Sequence, residues 1–225
     1  MITASYSTFF KELAQNNTKE WFHANKKRYE SDVKGPFLEL LETLLPQLQL
    51  WDGQMVDDPK KALFRIHRDI RFSKDKSPYH TIMKAGFSPG GKKSEKPGYY
   101  LGIDAEHIHV GGGLFMVSPA QLKKVRQYIA KHPKQLIGLV ETPTFRRAFG
   151  LLKGERAKRL DKEFKAIAEQ CDYLFHKQFY AFAEFPVSNF YGSERLVDEI
   201  VEHFEILSPL NTYLGKALEN QEYYL

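Results

Sequence analysis

The chain has 225 residues, of which 42% are hydrophobic and 27% are charged, and its formal net charge is +5. This composition is typical of a globular protein and excludes an intrinsically disordered chain. No run of about 18 apolar residues predicts a membrane span, and one cysteine excludes an internal disulfide. Because no secretory signal is visible at the start, we expect a cytoplasmic protein.

Helices are predicted in the first third of the chain. The apolar spacing between Ser5 and Gln15 indicates an amphipathic helix. Asn17, with Glu20 three residues later, resembles the start of a second helix with a capping box. Pro36 suits the first turn of a further helix, whose leucines recur at helical spacing.

Strands are predicted in the middle of the chain, where the apolar residues begin to alternate. Alternation first occurs at four positions, Phe64, Ile66, Ile70 and Phe72. Further strand-like runs are TIMKAGFS (81–88), YYLGID (99–104), HIHVGG (107–112) and QFYAFAEFP (178–186). The runs are short and separated by turn residues, which indicates an antiparallel sheet and not alternating βαβ units.

Helices are predicted again after the strands. Ser118 and Gln121 form a capping box around Pro119. Residues 155–169 are a charged amphipathic candidate, Ser193 caps another helix, and a last helix is predicted to start at Ser208-Pro209. We therefore expect a single α+β domain over residues 1–225, with an antiparallel sheet of short strands packed with N-terminal and C-terminal helices.

The charge is distributed unevenly along the chain. From Lys60 to Lys96, eleven lysines and arginines stand against three carboxylates, a net charge of +8. From Glu184 to Leu225 the net charge is −6. A basic region of this kind attracts phosphates, nucleic acid or acidic metabolites. The alternative is a solvated surface that only balances the acidic end.

The segment FRIHRDIRFSKDKSPYH, residues 64–80, is the strongest site candidate. If it is a strand, Arg65, Asp69 and Arg71 share one face. Asp69 could then hold a guanidinium whose free donors bind a phosphate or carboxylate, or it could simply neutralise the two arginines. Arg68 falls on the apolar face. It pairs there with a carboxylate or ligand, is turned outward by a bulge, or extends its stem along apolar surface to reach water.

The turn that follows adds donors to the same candidate site. Lys74, Lys76 and the Tyr79 hydroxyl can contact an anion, while Asp75 suits an Asx-turn. Asp69 or His67 could act as a base and Tyr79 as an acid, but the sequence assigns no catalytic role. We expect no cofactor and no metal, because the pair His107 and His109 has no carboxylate partner at a fixed spacing. The predicted ligand-binding residues are Arg65, Arg68, Asp69, Arg71, Lys74, Lys76 and Tyr79.

The same segment resembles the signature of the bacterial family Domain of Unknown Function 2461, R-x-x-R-D-x-R-F-x-x-x-[DN]-K-x-x-Y. Two other stretches, NNTKEWFHANKKRYE and GGGLFMVSPAQLKKVRQYI, are also similar to that family. The chain has His80 where the family frequently has lysine after the tyrosine. The resemblance implies one conserved domain and carries no established activity.

Three functional hypotheses follow from the sequence. The first is a site for a phosphorylated or acidic small molecule. The second is a module that binds nucleic acid weakly, non-specifically and in a salt-sensitive way through the whole basic region. The third is a structural or interaction protein in which the Arg–Asp cluster only stabilises the fold. None of the three involves a membrane, and the sequence leaves open whether the protein is an enzyme.

Overall fold

The computed structural model of the protein describes residues 1–51, 53–92 and 94–219. Positions 52, 93 and 220–225, which the predicted domain includes, lie outside the described residues. The predicted α+β class is confirmed, since the described chain combines many helices with a four-stranded antiparallel sheet. The strands follow the chain order β1, β2, β3, β4 across the sheet. They are β1 (Met83–Phe87), β2 (Gly98–Ile103), β3 (His107–Leu114) and β4 (Phe179–Pro186), which confirms four of the predicted runs.

The Cα positions divide the chain into two compact units. Unit 1 comprises Met1–Lys93, Tyr100–Val110 and Glu184–Val201. Unit 2 comprises Ser94–Tyr99, Gly111–Ala183 and Glu202–Leu225. The chain therefore passes between the units several times, and three of the strands contribute residues to both. The candidate segment belongs entirely to unit 1.

Most of unit 1 is built from the N-terminal helices. They are α1 (Ala4–Gln15), α2 (Lys19–Ala24), α3 (Lys26–Arg28), a π-helical turn (Tyr29–Lys34), α4 (Gly35–Trp51) and α5 (Pro59–Ala62). The predicted cap of α2 was displaced by one residue: the Thr18 side chain, not that of Asn17, accepts a hydrogen bond from the Trp21 N–H. This leaves the Asn17 side chain available for another contact.

Aromatic rings form the part of the unit 1 core that supports the candidate segment. Phe9 and Phe22 are buried and pack edge to face, with ring centroids 6.4 Å apart. Tyr29, which is also buried, lies 5.0 Å from the Phe22 ring. Burying such rings supplies a large share of the hydrophobic stabilisation of a unit of this size.

Unit 2 contains α6 (Pro119–Lys131), α7 (Pro133–Val140), α8 (Pro143–Phe149), α9 (Lys165–Ala168) and the larger part of α10 (Arg195–Glu219). The capping box of Ser118 and Gln121 is confirmed. The helix predicted over residues 155–169 was wrong over its first half. There the Ala157 N–H donates to the Phe175 carbonyl, and the Glu155 carbonyl accepts from the Lys177 N–H, both at 2.7 Å. Pairing with the chain near β4 thus replaces helical hydrogen bonds.

The predicted helix start at Ser208-Pro209 was also wrong, because α10 runs through Pro209 without a break. Leu207, Leu210 and Leu214 are buried in unit 2 and continue one apolar face across the proline. Their burial outweighs the hydrogen bond that proline cannot donate. In the described part of the chain, no helix is both long and apolar enough to cross a membrane.

Candidate functional site

The candidate segment forms an irregular antiparallel arm that ends in a loop. We name residues 63–68 and 78–85 the basic arm, and residues 69–77 the tip. Antiparallel bridges join Leu63 to Ala85 and His67 to Tyr79. The Arg68 N–H donates to the Pro78 carbonyl at 2.9 Å, and the His80 N–H donates to the Ile66 carbonyl at 2.8 Å. The arm is thus held by a few backbone hydrogen bonds, and the regular strand predicted over residues 64–72 was wrong.

The predicted apolar face is correspondingly interrupted. Ile66 is buried, but Phe72 is 96% exposed. The reason is that the chain leaves the bridged geometry after Arg68 and turns through the tip, so alternation no longer directs side chains towards the core. Asp69 accepts from the Arg71 N–H at 3.3 Å, a short-range contact that favours a turn over an extended strand.

Asp69 and Arg71 form a bidentate ion pair at the tip. Arg71 donates from Nε to Asp69 Oδ1 at 3.0 Å and from Nη2 to Oδ2 at 2.7 Å. Hydrogen bonds from Arg71, with a smaller contribution from the charge of Arg65, lower the pKa of Asp69 to about 2. The Arg71 side chain is 76% exposed, so the pair contributes little to stability. It does hold the guanidinium in a fixed direction.

Arg68 adopts the first of its three alternatives, since it pairs with a carboxylate. Its Nη1 donates to the Asp75 carboxylate and, at 3.2 Å, to the Ser77 carbonyl. The Ser77 N–H donates to Asp75 Oδ1 at 2.9 Å, which confirms the predicted Asx-turn. Hydrogen bonds from Ser77, followed by that from Arg68, lower the pKa of Asp75 to about 2. The tip is therefore braced from inside by its own polar side chains.

Both lysines of the tip are exposed. Lys76 Nζ donates to the Ile70 carbonyl at 3.0 Å and remains exposed. Lys74 is exposed as well. Their ammonium groups add positive charge at the tip, close in sequence to the Asp69–Arg71 pair.

Tyr79 does not lie at the surface where the sequence placed it. The residue is buried, and its ring stacks on Phe22 with a centroid separation of 4.0 Å and an interplanar angle of 16°. Asn17 holds the main chain at the same point. Its Nδ2 donates to the Tyr79 carbonyl at 2.9 Å, and its Oδ1 accepts from the Tyr79 N–H at 3.1 Å. Tyr79 thus anchors the arm to the core of unit 1.

The arm brings together three cationic side chains and one histidine, and two of these four residues were not predicted. Across the bridges Ile66 lies opposite His80 and Phe64 opposite Lys84, so alternation places Arg68 on the face of His80 and Lys84. Burial and then the charge of Arg68 lower the pKa of Lys84. Burial and then the charges of Lys84, Arg68 and Arg65 lower the pKa of His80 to about 4. Arg65 belongs with them because its charge also acts on His80. We name the charged Arg65, Arg68 and Lys84, together with the neutral His80 imidazole, the cation cluster.

The sequence contained one signal for the missed members. His80 stands where the resembled family frequently has lysine, so the position is associated with a cation. Lys84 lay inside a predicted strand, where nothing distinguished it from an ordinary exposed lysine. Only the bridge pairing of the arm reveals that the two residues face Arg68.

The His80 imidazole gives the arm a pH dependence that can be measured. Its unfolded pKa is about 6.5 and its folded pKa is about 4, so the unfolded state binds more protons between these values. The free energy of unfolding is therefore highest above about pH 6.5, and it decreases as the pH falls towards about 4. After allowance for solvent screening we expect a loss of about 1–2 kcal/mol. Urea unfolding of wild-type and His80→Gln proteins across this range measures it, and equal pH slopes for both would contradict the assignment.

His107 and His109 were predicted not to bind a metal. His109 Nε2 lies 2.7 Å from Asp104 Oδ2, and its Nδ1 lies 3.5 Å from Glu184 Oε2. Hydrogen bonds from the main-chain N–H groups of Glu106 and His107 also reach Asp104, both at 2.7 Å. These contacts give His109 a structural role in the β2–β3 turn. Among the described residues, no group of three or more histidines, cysteines or carboxylates is placed to hold a metal ion.

The arm and tip lie in a region of the chain that matches a known protein family. The family model of a conserved hypothetical protein, DUF2461, matches residues 5–213. No curated protein matches the chain. The matched region contains the arm, the tip and the helices that support them, and it extends over both compact units. The chain therefore belongs to the DUF2461 family.

Proposed function

We propose that the basic arm and tip bind an anionic ligand that carries phosphate or carboxylate groups. The observation that carries the proposal is the cation cluster, in which partly buried His80 and Lys84 lie near two arginines and their pKa values are lowered. The charges of Lys84 and the two arginines destabilise one another where the site is partly desolvated, and they keep His80 neutral. A bound anion would relieve this repulsion and would itself be bound more strongly because the site is partly desolvated.

The two ion pairs support the proposal by orienting guanidinium groups. Asp75 holds Arg68, and Asp69 holds Arg71 through Nε and Nη2. The hydrogen bonds described for Arg71 leave its Nη1 facing away from Asp69, available to a ligand. Pre-oriented guanidinium groups lose less side-chain entropy on binding and fit phosphate or carboxylate in a bidentate way.

The proposal changes the membership of the predicted site. Arg65, Arg68 and Arg71 are assigned to the ligand, with Lys74 and Lys76 adding charge at the rim. Asp69 positions Arg71. Tyr79 becomes a supporting residue, because its ring is buried against Phe22. The two residues added to the site are His80 and Lys84.

Lys84→Met tests the proposal. The substitution keeps an unbranched apolar stem and removes the charge that Arg68 opposes, so we expect stability to stay the same or rise. In the wild-type protein, sulfate, phosphate, pyrophosphate or citrate at about ten times Kd should stabilise by about 1.4 kcal/mol. That corresponds to a rise in Tm of about 3–6 °C for a chain of this size. Lys84→Met should lose most of this rise.

Lys60→Met is the matched control, because Lys60 is exposed in the same basic region but lies outside the arm. Lys60→Met removes the same charge as Lys84→Met. Because Lys60 lies outside the proposed site, the variant should retain the rise in Tm. An equal loss in both variants would point to general screening of the basic region and not to a site. If none of the anions raises the Tm of the wild-type protein, the proposed function is wrong.

A further inference from the structure

The tip presents an aromatic ring to solvent. Phe72 is 96% exposed, a larger fraction than for any other large apolar side chain in the described residues. Single exposed apolar residues are common on protein surfaces and need no explanation. Phe72 differs because it lies in a loop whose Asp75 side chain accepts hydrogen bonds from Arg68 and from the Ser77 N–H. The exposed ring therefore belongs to a loop that its own side chains brace.

One cationic group contacts this ring, and two more lie on the same loop. The Arg71 guanidinium lies 5.9 Å from the centroid of the Phe72 ring, and Lys74 and Lys76 are exposed on the same loop. The two carboxylates of the tip are already paired, Asp69 with Arg71 and Asp75 with Arg68. A ligand that approaches the tip therefore meets an accessible ring face with positive charge on either side along the chain.

This combination matches the chemistry of single-stranded nucleic acid. Such strands bind proteins through bases that stack on aromatic side chains and through phosphates that contact arginine and lysine. In a duplex the base faces are already stacked on one another, so the ring would add nothing. An anionic membrane is a poorer match, because binding at a membrane surface scales with the apolar area buried and one ring provides little.

We propose that the tip binds single-stranded nucleic acid, with a base stacked on Phe72 and neighbouring phosphates contacted by Arg71, Lys74 and Lys76. The binding is independent of base identity, since every base has a face that can stack. This inference goes beyond the anion site, because the two sites share Arg71, Lys74 and Lys76 but stacking on Phe72 requires neither His80 nor Lys84. Either proposal can fail while the other holds.

The test is fluorescence anisotropy of a labelled single-stranded oligonucleotide of mixed sequence at low salt. Removal of one stacked base typically costs about 1–3 kcal/mol, so Phe72→Ala should weaken binding by about tenfold or more. Phe72→Tyr keeps the ring and should bind like the wild type. If three phosphates are contacted, the slope of log K against log salt should be about −2, and Lys74→Ala should reduce its magnitude by about 0.7.

The controls separate stacking from general charge. Phe115→Ala removes another exposed ring, 60% exposed and located in unit 2, and should leave binding unchanged. Phe72→Ala should keep the wild-type Tm, because the ring is exposed, so weaker binding would not reflect unfolding. The inference is overturned if the oligonucleotide does not bind at low salt or if Phe72→Ala binds it normally. Phe72-dependent binding to phosphatidylserine vesicles without binding to the oligonucleotide would also overturn it, in favour of a membrane.

Discussion

Replacement of Tyr79 by alanine is expected to lower the free energy of unfolding by about 3–5 kcal/mol, the usual loss when a buried aromatic side chain is truncated. The ring is buried and stacks on Phe22 at 4.0 Å, and it also lies 5.1 Å from the His67 ring. Its removal leaves a cavity where the arm meets the aromatic core of unit 1. Urea unfolding followed by circular dichroism gives the value.

Tyr79→Phe separates the ring from its hydroxyl. It should unfold within about 1 kcal/mol of the wild type, because at most one hydrogen bond changes. It should also keep the full rise in Tm with sulfate. A stable Tyr79→Phe protein that no longer responds to sulfate would restore the hydroxyl as a ligand contact and contradict the assignment of Tyr79 as a support. Phe72→Ala is the matched stability control, because it removes an aromatic ring of similar size from an exposed position.

Asn17→Ala is expected to be the second most damaging change, with a loss of about 1–3 kcal/mol in the free energy of unfolding. The Asn17 amide pairs with both main-chain groups of Tyr79, at 2.9 Å and 3.1 Å. Without it, a carbonyl and an N–H next to the buried ring lose their partners. Asn17 precedes α2, and Phe22 lies within α2. The Asn17 amide and the Tyr79–Phe22 stack therefore both attach the arm to the N-terminal part of α2.

Two further variants sharpen the Asn17 experiment. Asn17→Asp keeps an acceptor for the Tyr79 N–H but cannot donate to the Tyr79 carbonyl, so it too should lose stability. Asn16→Ala is the control, since Asn16 is exposed and its side chain donates only to the Glu12 carbonyl at the end of α1. If Asn16→Ala and Asn17→Ala lose equal amounts, the effect belongs to the α1–α2 connection and not to the arm.

Anchoring and ligand binding are thus expected to separate by residue. Changes at Tyr79 and Asn17 should act on stability, whereas a change at Lys84 should act on the anion response. The Asp69–Arg71 pair is too exposed to be a strong stabilising contact. This weakens the hypothesis that the Arg–Asp cluster of the sequence only stabilises the fold. Its geometry fits better with the orientation of Arg71 at the tip.

The sequence by itself determined the α+β class and the positions of β1–β4, because alternation and turn residues are local signals. It also determined the Ser118 capping box and the Asx-turn at Asp75, each of which depends on side chains only two or three residues apart. The family signature in residues 65–79 likewise marked the segment that carries the candidate site.

The tertiary structure decided what long-range pairing controls. Residues 64–72 alternate like a strand, yet the chain turns at Asp69, so Phe72 reaches solvent and Tyr79 reaches the core. Asparagine is a common residue at the start of a helix, but the Asn17 amide pairs with Tyr79, sixty-two residues away. His80 and Lys84 join Arg68 only because two antiparallel segments bring distant positions to one face. Such pairings depend on the packing of the whole unit, which short-range patterns in a sequence do not encode.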